Sequence, residues 1–210
     1  EFRRVLFRSK SSLDFSPTYI SAIPDLLKLM ARHQQFPDLR FVRSASVALS
    51  NLTYKQLTDH FKVPVIESFG MTETVSHCFT NPLYGEQRVG TVGLPSGINA
   101  KIHNGSLWLQ GSQCYTDRWF DTGDLAEQDC AGYYRILGRR LDRLNLHGIK
   151  LDPLVIENKL YNRLPELNEV VVFGEDKMMC VYVGSVEPAQ VRQTMIDIDP
   201  HCNPKFLKQV

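Results

Sequence analysis

Apolar residues recur along this chain at two different spacings, and the switches between them mark its organisation. From Pro24, a residue suited to the first turn of a helix, Leu26, Leu27 and Met30 repeat at helical spacing, and Pro37 ends the pattern. Residues 39–42 form a short strand-like run. A second helix is predicted over 54–61, capped by Ser50 or Asn51, and Val63-Pro64-Val65-Ile66-Glu67 reads as a buried strand that stops at Gly70. Helix, strand, helix, strand in this order predicts an α/β layer with parallel strands.

From Val89 to Leu137 the pattern shortens to alternating runs separated by glycines, among them Gly90, Gly93, Gly105, Gly123 and Gly132. Residues 99–103, 106–110 and 133–137 are predicted antiparallel strands joined by turns such as Asn104-Gly105. Beyond Gly138-Arg139 helical spacing returns: Pro153 opens a helix to residue 164 with Leu154, Ile156, Leu160 and Leu164 facing inward. Strands over 169–173 and 179–183 and a helix over 188–196 follow. The chain is therefore expected to be α/β with a β-rich subdomain over 10–138, followed by a small α+β C-terminal domain over 139–210.

Composition narrows the function classes. With 210 residues, 43% of them hydrophobic, the chain is long enough to bury a sizeable core. Its formal charge of +1 misleads, because the first ten residues hold four basic residues against Glu1, leaving 20 basic and 22 acidic residues after them. That balance argues against a nucleic-acid surface. Residues 1–9 (EFRRVLFRS) follow neither period and are read as a non-native scar. No stretch reaches the roughly 18 apolar residues of a membrane span. Five cysteines without a C-x-x-C pair favour neither a disulfide framework nor a zinc site, which makes a cytoplasmic location the default.

Three separated clusters bear on chemistry. Glu67-Ser68-Phe69-Gly70-Met71-Thr72-Glu73 ends the buried strand, Asp121-Thr122-Gly123-Asp124 lies about fifty residues on, and Gly138-Arg139 follows. A loop at the end of a buried strand is where α/β sheets collect ligands, and Thr72 with Glu73 offers a hydroxyl and a hard-cation carboxylate there. A helix cap formed by the same two residues is the alternative. Asp124 is an acceptor-only group able to take two donors at once, and a solvated Asp-Gly turn is its alternative.

Taken in order, these clusters resemble the adenylate-forming superfamily, in its acid:CoA ligase branch. The resemblance covers residues 16–210 and implies the C-terminal portion of that fold, with ATP or AMP, Mg2+, coenzyme A and a carboxylic acid as ligands. It assigns Phe69 and Gly70 to the adenine, Thr72 to the phosphates and Glu73 to magnesium. Asp124 and Arg139 fall to the ribose, the small-residue stretch around Ser46 to the adenine, and Gly148 to the path of the pantetheine arm. The run GRRLDRLNLHGIKLDPLVIE is similar to the family hinge, with the pivot at 139–142, on Leu141 or Asp142. Met71 and the GIKLDP run resemble acid:CoA ligases rather than peptide-synthetase domains, and within them both oxalate or fatty-acid and O-succinylbenzoate ligases. The resemblance also places a phosphate-gripping loop upstream of Pro17 and a catalytic lysine beyond Val210, so these 210 residues alone are expected to be nearly inactive. A non-catalytic nucleotide-binding fragment is the other reading.

Overall fold

The computed structural model describes residues 17–33, 36–146 and 148–210. The segment 1–9 read as a scar lies outside them. The chain opens with β1 (Tyr19–Ala22), α1 (Pro24–His33), β2 (Phe41–Ser44), α2 (Asn51–Phe61) and β3 (Val65–Gly70). β1, β2 and β3 pair in parallel, as the alternation predicts. A 3₁₀ turn at Thr72–Thr74 then reverses the chain into β4 (His77–Thr80), antiparallel to β3, and β5 (Leu94–Pro95) completes a five-stranded sheet in sequential order.

Local chemistry accounts for the boundaries. Of the two candidate caps of α2, Ser50 takes the role: it is extended, and its hydroxyl accepts the Thr53 N–H at 3.2 Å. Lys62 closes the helix in the left-handed region and donates its N–H to Thr58. Leu27, Val42, Leu57 and Val65 are fully or almost fully buried where both helices lie on one face of the sheet.

β6 (Asn99–His103), β7 (Ser106–Gln110), β8 (Phe120–Gln128) and β9 (Tyr134–Arg139) form a second, antiparallel sheet. A bridge between Gly93 and Tyr134 ties it to the first. There the glycine is required by space as well as by its φ of +90°, since an added Cβ would lie 2.1 Å from the Thr80 carbonyl. Cys78, Phe79, Leu107, Leu109 and Tyr134 pack between the two sheets.

After a 3₁₀ turn at Arg140–Asp142 come the hairpin β10 (Leu144–Leu146) and β11 (Ile149–Leu151), α3 (Pro153–Arg163), β12 (Leu167–Phe173), β13 (Met179–Gly184), α4 (Pro188–Ile198) and β14 (Phe206–Gln209). β12 and β13 pair antiparallel, and β14 joins β13 in parallel. Leu160, Leu167, Cys180, Val191 and Met195 form the fully buried centre of a separate apolar cluster. α3 starts at Pro153 without a side-chain cap because Asp152, the residue placed to provide one, is bound to Arg143. Asn51 of α2 donates to Asn162 of α3 at 2.8 Å, so the C-terminal elements touch the first layer.

Among the described residues no helix is long and apolar enough to cross a membrane. The five cysteines carry free thiols. Gly93→Ala is expected to destabilise the fold by about 2 kcal/mol or more. Gly105→Ala, at a left-handed position with open space around it, should cost about 1 kcal/mol. Urea unfolding of both variants checks the order, and equal losses would contradict the packing argument.

Candidate functional site

A cavity of about 1220 Å³ opens between the two sheets and the C-terminal elements. Its upper wall is the loop after β2, from Ser46 to Leu49, with the end of β3 from Glu67 to Met71. Asp124 of β8 and the end of β9 through Arg139 form a second side, and α3 with the end of β12 forms the floor. Of the candidate site residues, Ser46, Phe69, Gly70, Asp124 and Arg139 line this one space.

Asp124 is the central group. Its side chain is 5% exposed, Arg139 Nε lies 3.4 Å from Oδ1, and Oδ2 is buried with no hydrogen-bond partner among the described residues. Burial pushes its pKa up, Arg139 pulls it back, and the nearby Glu73 charge adds to the rise. An unpaired buried carboxylate oxygen is costly unless a donor reaches it. Several other acids around the cavity have partners: Asp152 holds Arg143, Glu127 holds Arg135, and Glu157 accepts the Val172 N–H at 2.8 Å.

Asp124 is presented by a bend within a strand. Asp121 accepts the Gly123 N–H at 2.9 Å, and the Thr122 hydroxyl accepts the Asp124 N–H at 3.1 Å while donating to the Leu107 carbonyl at 3.0 Å. Gly123 takes a φ of +78° at the bend. The Asp-Thr-Gly-Asp segment is thus part of the nine-residue β8, where its sequence alone also reads as a turn.

Phe69 meets Phe79 edge to face at 5.9 Å between ring centres, which fixes one side of its ring and leaves the rest to the cavity. Gly70 has a packing reason as well as a cavity one: a Cβ there would sit 2.3 Å from the Ser76 carbonyl oxygen. Ser46 stands at a φ of +71°, uncommon for serine, which turns the small-residue loop along the cavity wall. Thr72 and Glu73 are exposed on the turn after Met71 and do not line the cavity. Thr74 supports that turn, donating its hydroxyl to the Met71 carbonyl and accepting the Met71 N–H. Gly148 is exposed in the β10–β11 turn at a φ of +89°, also away from the cavity lining.

Two features are absent from the sequence reading. Glu67 accepts the Leu49 N–H at 3.1 Å and so staples the Ser46–Leu49 loop to β3. Burial raises its pKa to about 7 against the lowering effects of Leu49 and Arg135. A carboxylate closing an otherwise apolar strand run was the available signal. The second feature is a polar group on the opposite face of the sheet. Arg43 and Ile66 are paired residues and Ser68 lies two positions on, so all three point away from the α1/α2 core. Ser68 Oγ lies 3.3 Å from His77 Nδ1, and Arg43 Nε is buried without a partner among the described residues. Burial first, then the Arg43 charge, lowers the His77 pKa. No spacing in the sequence joins these three.

The residues 10–110 match the family model described as AMP-binding enzyme. The chain is 32% identical to a sulfoacetate–CoA ligase of Cupriavidus necator, over 75% of this chain and 36% of that protein. It is 28% identical to an oxalate–CoA ligase of Arabidopsis thaliana, over 76% and 37%. The chain thus spans little more than a third of the length of these relatives. The ATP-bound MatB structure from Rhodopseudomonas palustris superposes with a TM-score of 0.81 at 23% identity, covering 92% of this chain and 47% of that one. The fold is that of the adenylate-forming enzymes, and the chain belongs to their superfamily, alongside acid:CoA ligases.

Glu67 supplies a test of the electrostatics. Its folded pKa lies above the ordinary 4.5, so the native state holds the proton more tightly than the unfolded chain between 4.5 and about 7. The stability this contributes is complete below that window and disappears as pH rises through about 7. Glu67→Gln keeps an acceptor for Leu49 and removes the titration. Its urea midpoint is expected to fall less than that of the wild type between pH 5 and pH 8, and parallel profiles would show that Glu67 titrates normally.

Proposed function

We propose that these residues form the nucleotide-binding part of an ATP-dependent acid:CoA ligase. The observation that supports this best is Asp124, a carboxylate with a buried Oδ2 that has no partner among the described residues, on the wall of a cavity shared with Phe69, Ser46 and Arg139. A ribose presents two adjacent hydroxyl donors, and a carboxylate with one free oxygen and one oxygen beside an arginine suits them. Phe69 offers a flat apolar surface to the adenine, and the Ser46–Leu49 loop lets the base approach closely.

In this reading the phosphates run from the cavity past Met71 to Thr72 and Glu73. Glu73 would hold the magnesium ion that accompanies ATP. A single carboxylate fits an ion that takes its other ligands from phosphate oxygens and water. Among the described residues no group of three or more His, Cys, Asp or Glu forms a protein-only metal cage. The acid's carboxylate oxygen would attack the α-phosphorus of ATP, pyrophosphate would leave, and the coenzyme A thiol would then attack the acyl carbonyl and release AMP. The chain's own part is positioning and charge placement rather than a covalent nucleophile. The domain division at 138/139 and a hinge at 139–142 that reorients the C-terminal elements between the two steps belong to this proposal. Gly148, with open space around it, is kept as the residue beside the pantetheine path.

The acid that best suits the pocket is a small one with a second negative charge. Ser68 borders the cavity, and beyond it lie His77 and Arg43, whose Nε has no partner among the described residues, a donor group that an apolar tail would leave unsatisfied. Sulfoacetate and oxalate, named for two relatives, are both acids of this kind.

Asp124→Ala is expected to weaken AMP binding by roughly 10- to 100-fold, the loss of a charge-assisted hydrogen bond. Calorimetric titration of these 210 residues measures it without any need for turnover, and unchanged affinity would sink the ribose assignment. In the enzyme that contains these residues, Arg43→Met should raise the KM for a small dianionic acid by about tenfold or more. The KM for a monocarboxylate of equal length should stay constant, and an equal rise for both acids would remove the assigned role.

A further inference from the structure

Two arginine–aspartate pairs bracket a two-residue stretch between the antiparallel sheet and the C-terminal elements. Upstream, Asp121 of β8 gathers three donors. Ser106 Oγ and the Gly123 N–H, the latter at 2.9 Å, reach Oδ1, and Arg140 Nη1 reaches Oδ2 at 2.7 Å. Arg140 Nη1 also lies 3.5 Å from Ser106 Oγ, closing a small network. Downstream, Arg143 forks onto Asp152 at 2.5 and 2.7 Å. Asp152 immediately precedes α3, so Arg143 is fixed to the C-terminal elements. Between the two pairs lie Leu141, 94% exposed, and Asp142, also exposed.

The pairing of β8 with β9 ends at Asp124 and Arg139. The end of a ladder is where fraying begins. Arg139 is itself 65% exposed and holds Asp124 through one 3.4 Å contact, which alone is a weak restraint. Asp121 is better fixed: its side chain is 25% exposed, its carboxylate is shared by a backbone amide and a hydroxyl, and it sits on the bend that presents Asp124.

We propose that Asp121 and Arg140 are positioning residues: their pair pins the chain up to Arg140 onto β8, so that reorientation of the C-terminal elements is confined to Leu141 and Asp142 while Arg139 stays opposite Asp124. This rests on the hinge reading given above. The adjacent arginines then divide the work. Arg139 faces the ligand, and Arg140 holds the strand end that carries it. Either side of the two-residue stretch moves as a body because each has its own ion pair.

Backbone hydrogen exchange on the intact 210-residue chain tests this, with AMP titration in parallel. In Asp121→Asn, and in the more exposed variant Arg140→Gln, the amides of residues 139–140 should exchange about threefold to tenfold faster. Residues 126–136 of the same sheet and 144–151 beyond the hinge should remain as in the wild type. Arg140→Lys should restore most of the protection. AMP affinity should fall by about threefold to tenfold in the first two variants and recover in the third. Unchanged exchange at 139–140, or a rise spread over the whole of β8 and β9, would overturn the clamp. Absence of AMP binding in the wild type would instead count against the proposed function, and the exchange pattern would still decide the clamp.

Discussion

The bend in β8 is the constraint on which the site depends. A regular strand would point Asp121 and Asp124, three residues apart, to opposite faces of the sheet. With Gly123 at a φ of +78° and the Asp121 and Thr122 side chains each accepting the amide two residues on, the strand turns enough for the two aspartates to serve neighbouring arginines. The bend is stable because its polar groups are satisfied internally: Thr122 reaches back to Leu107 and Asp121 to Ser106, both on β7. Among the described residues one buried side-chain acceptor of the bend is left over, Asp124 Oδ2, on a residue that lines the cavity.

The loop after β2 completes the opposite wall by a similar economy of groups. Its small side chains cannot fix it by packing, since Ser46, Val47 and Ala48 are all exposed. The restraint is polar: Glu67 on β3 accepts the Leu49 N–H, and Leu49 itself is buried in the α1/α2 core. Placing a carboxylate there costs desolvation, visible in its raised pKa. That cost ties loop and strand together at the point where both border the cavity.

The periodic elements were legible in the chain. α2, β6, β7, α3 and α4 fall within a few residues of where apolar spacing and cap residues put them, because each buries one face against a single neighbouring layer. The failures are physical as well. β8 contains glycine, threonine and two aspartates in four consecutive positions, a composition that signals a turn whenever tertiary hydrogen bonds are ignored. β14 (Phe206–Gln209) is a short edge strand whose pairing with β13 comes from contacts distant in sequence. The cavity residues were legible only as separate motifs. Their convergence needs the bend at Gly123 and the Gly93–Tyr134 bridge that ties the two sheets together, neither of which has a period.

Charge placement explains why the region between the two pairs can be so bare. Leu141 is a large apolar side chain exposed to solvent, so packing does not hold it in place. Restraint is instead supplied on both sides, by Arg140 on Asp121 and by Arg143 on Asp152. The second pair even displaces a helix cap, since Asp152 precedes Pro153 at the start of α3 and spends its carboxylate on Arg143 instead. Forgoing a cap worth about 1 kcal/mol is reasonable only where the alternative bond is stronger. A bidentate arginine pair with a partly buried aspartate meets that condition. Ion pairs thus stand immediately before and after two exposed residues, an arrangement that agrees with the proposed hinge.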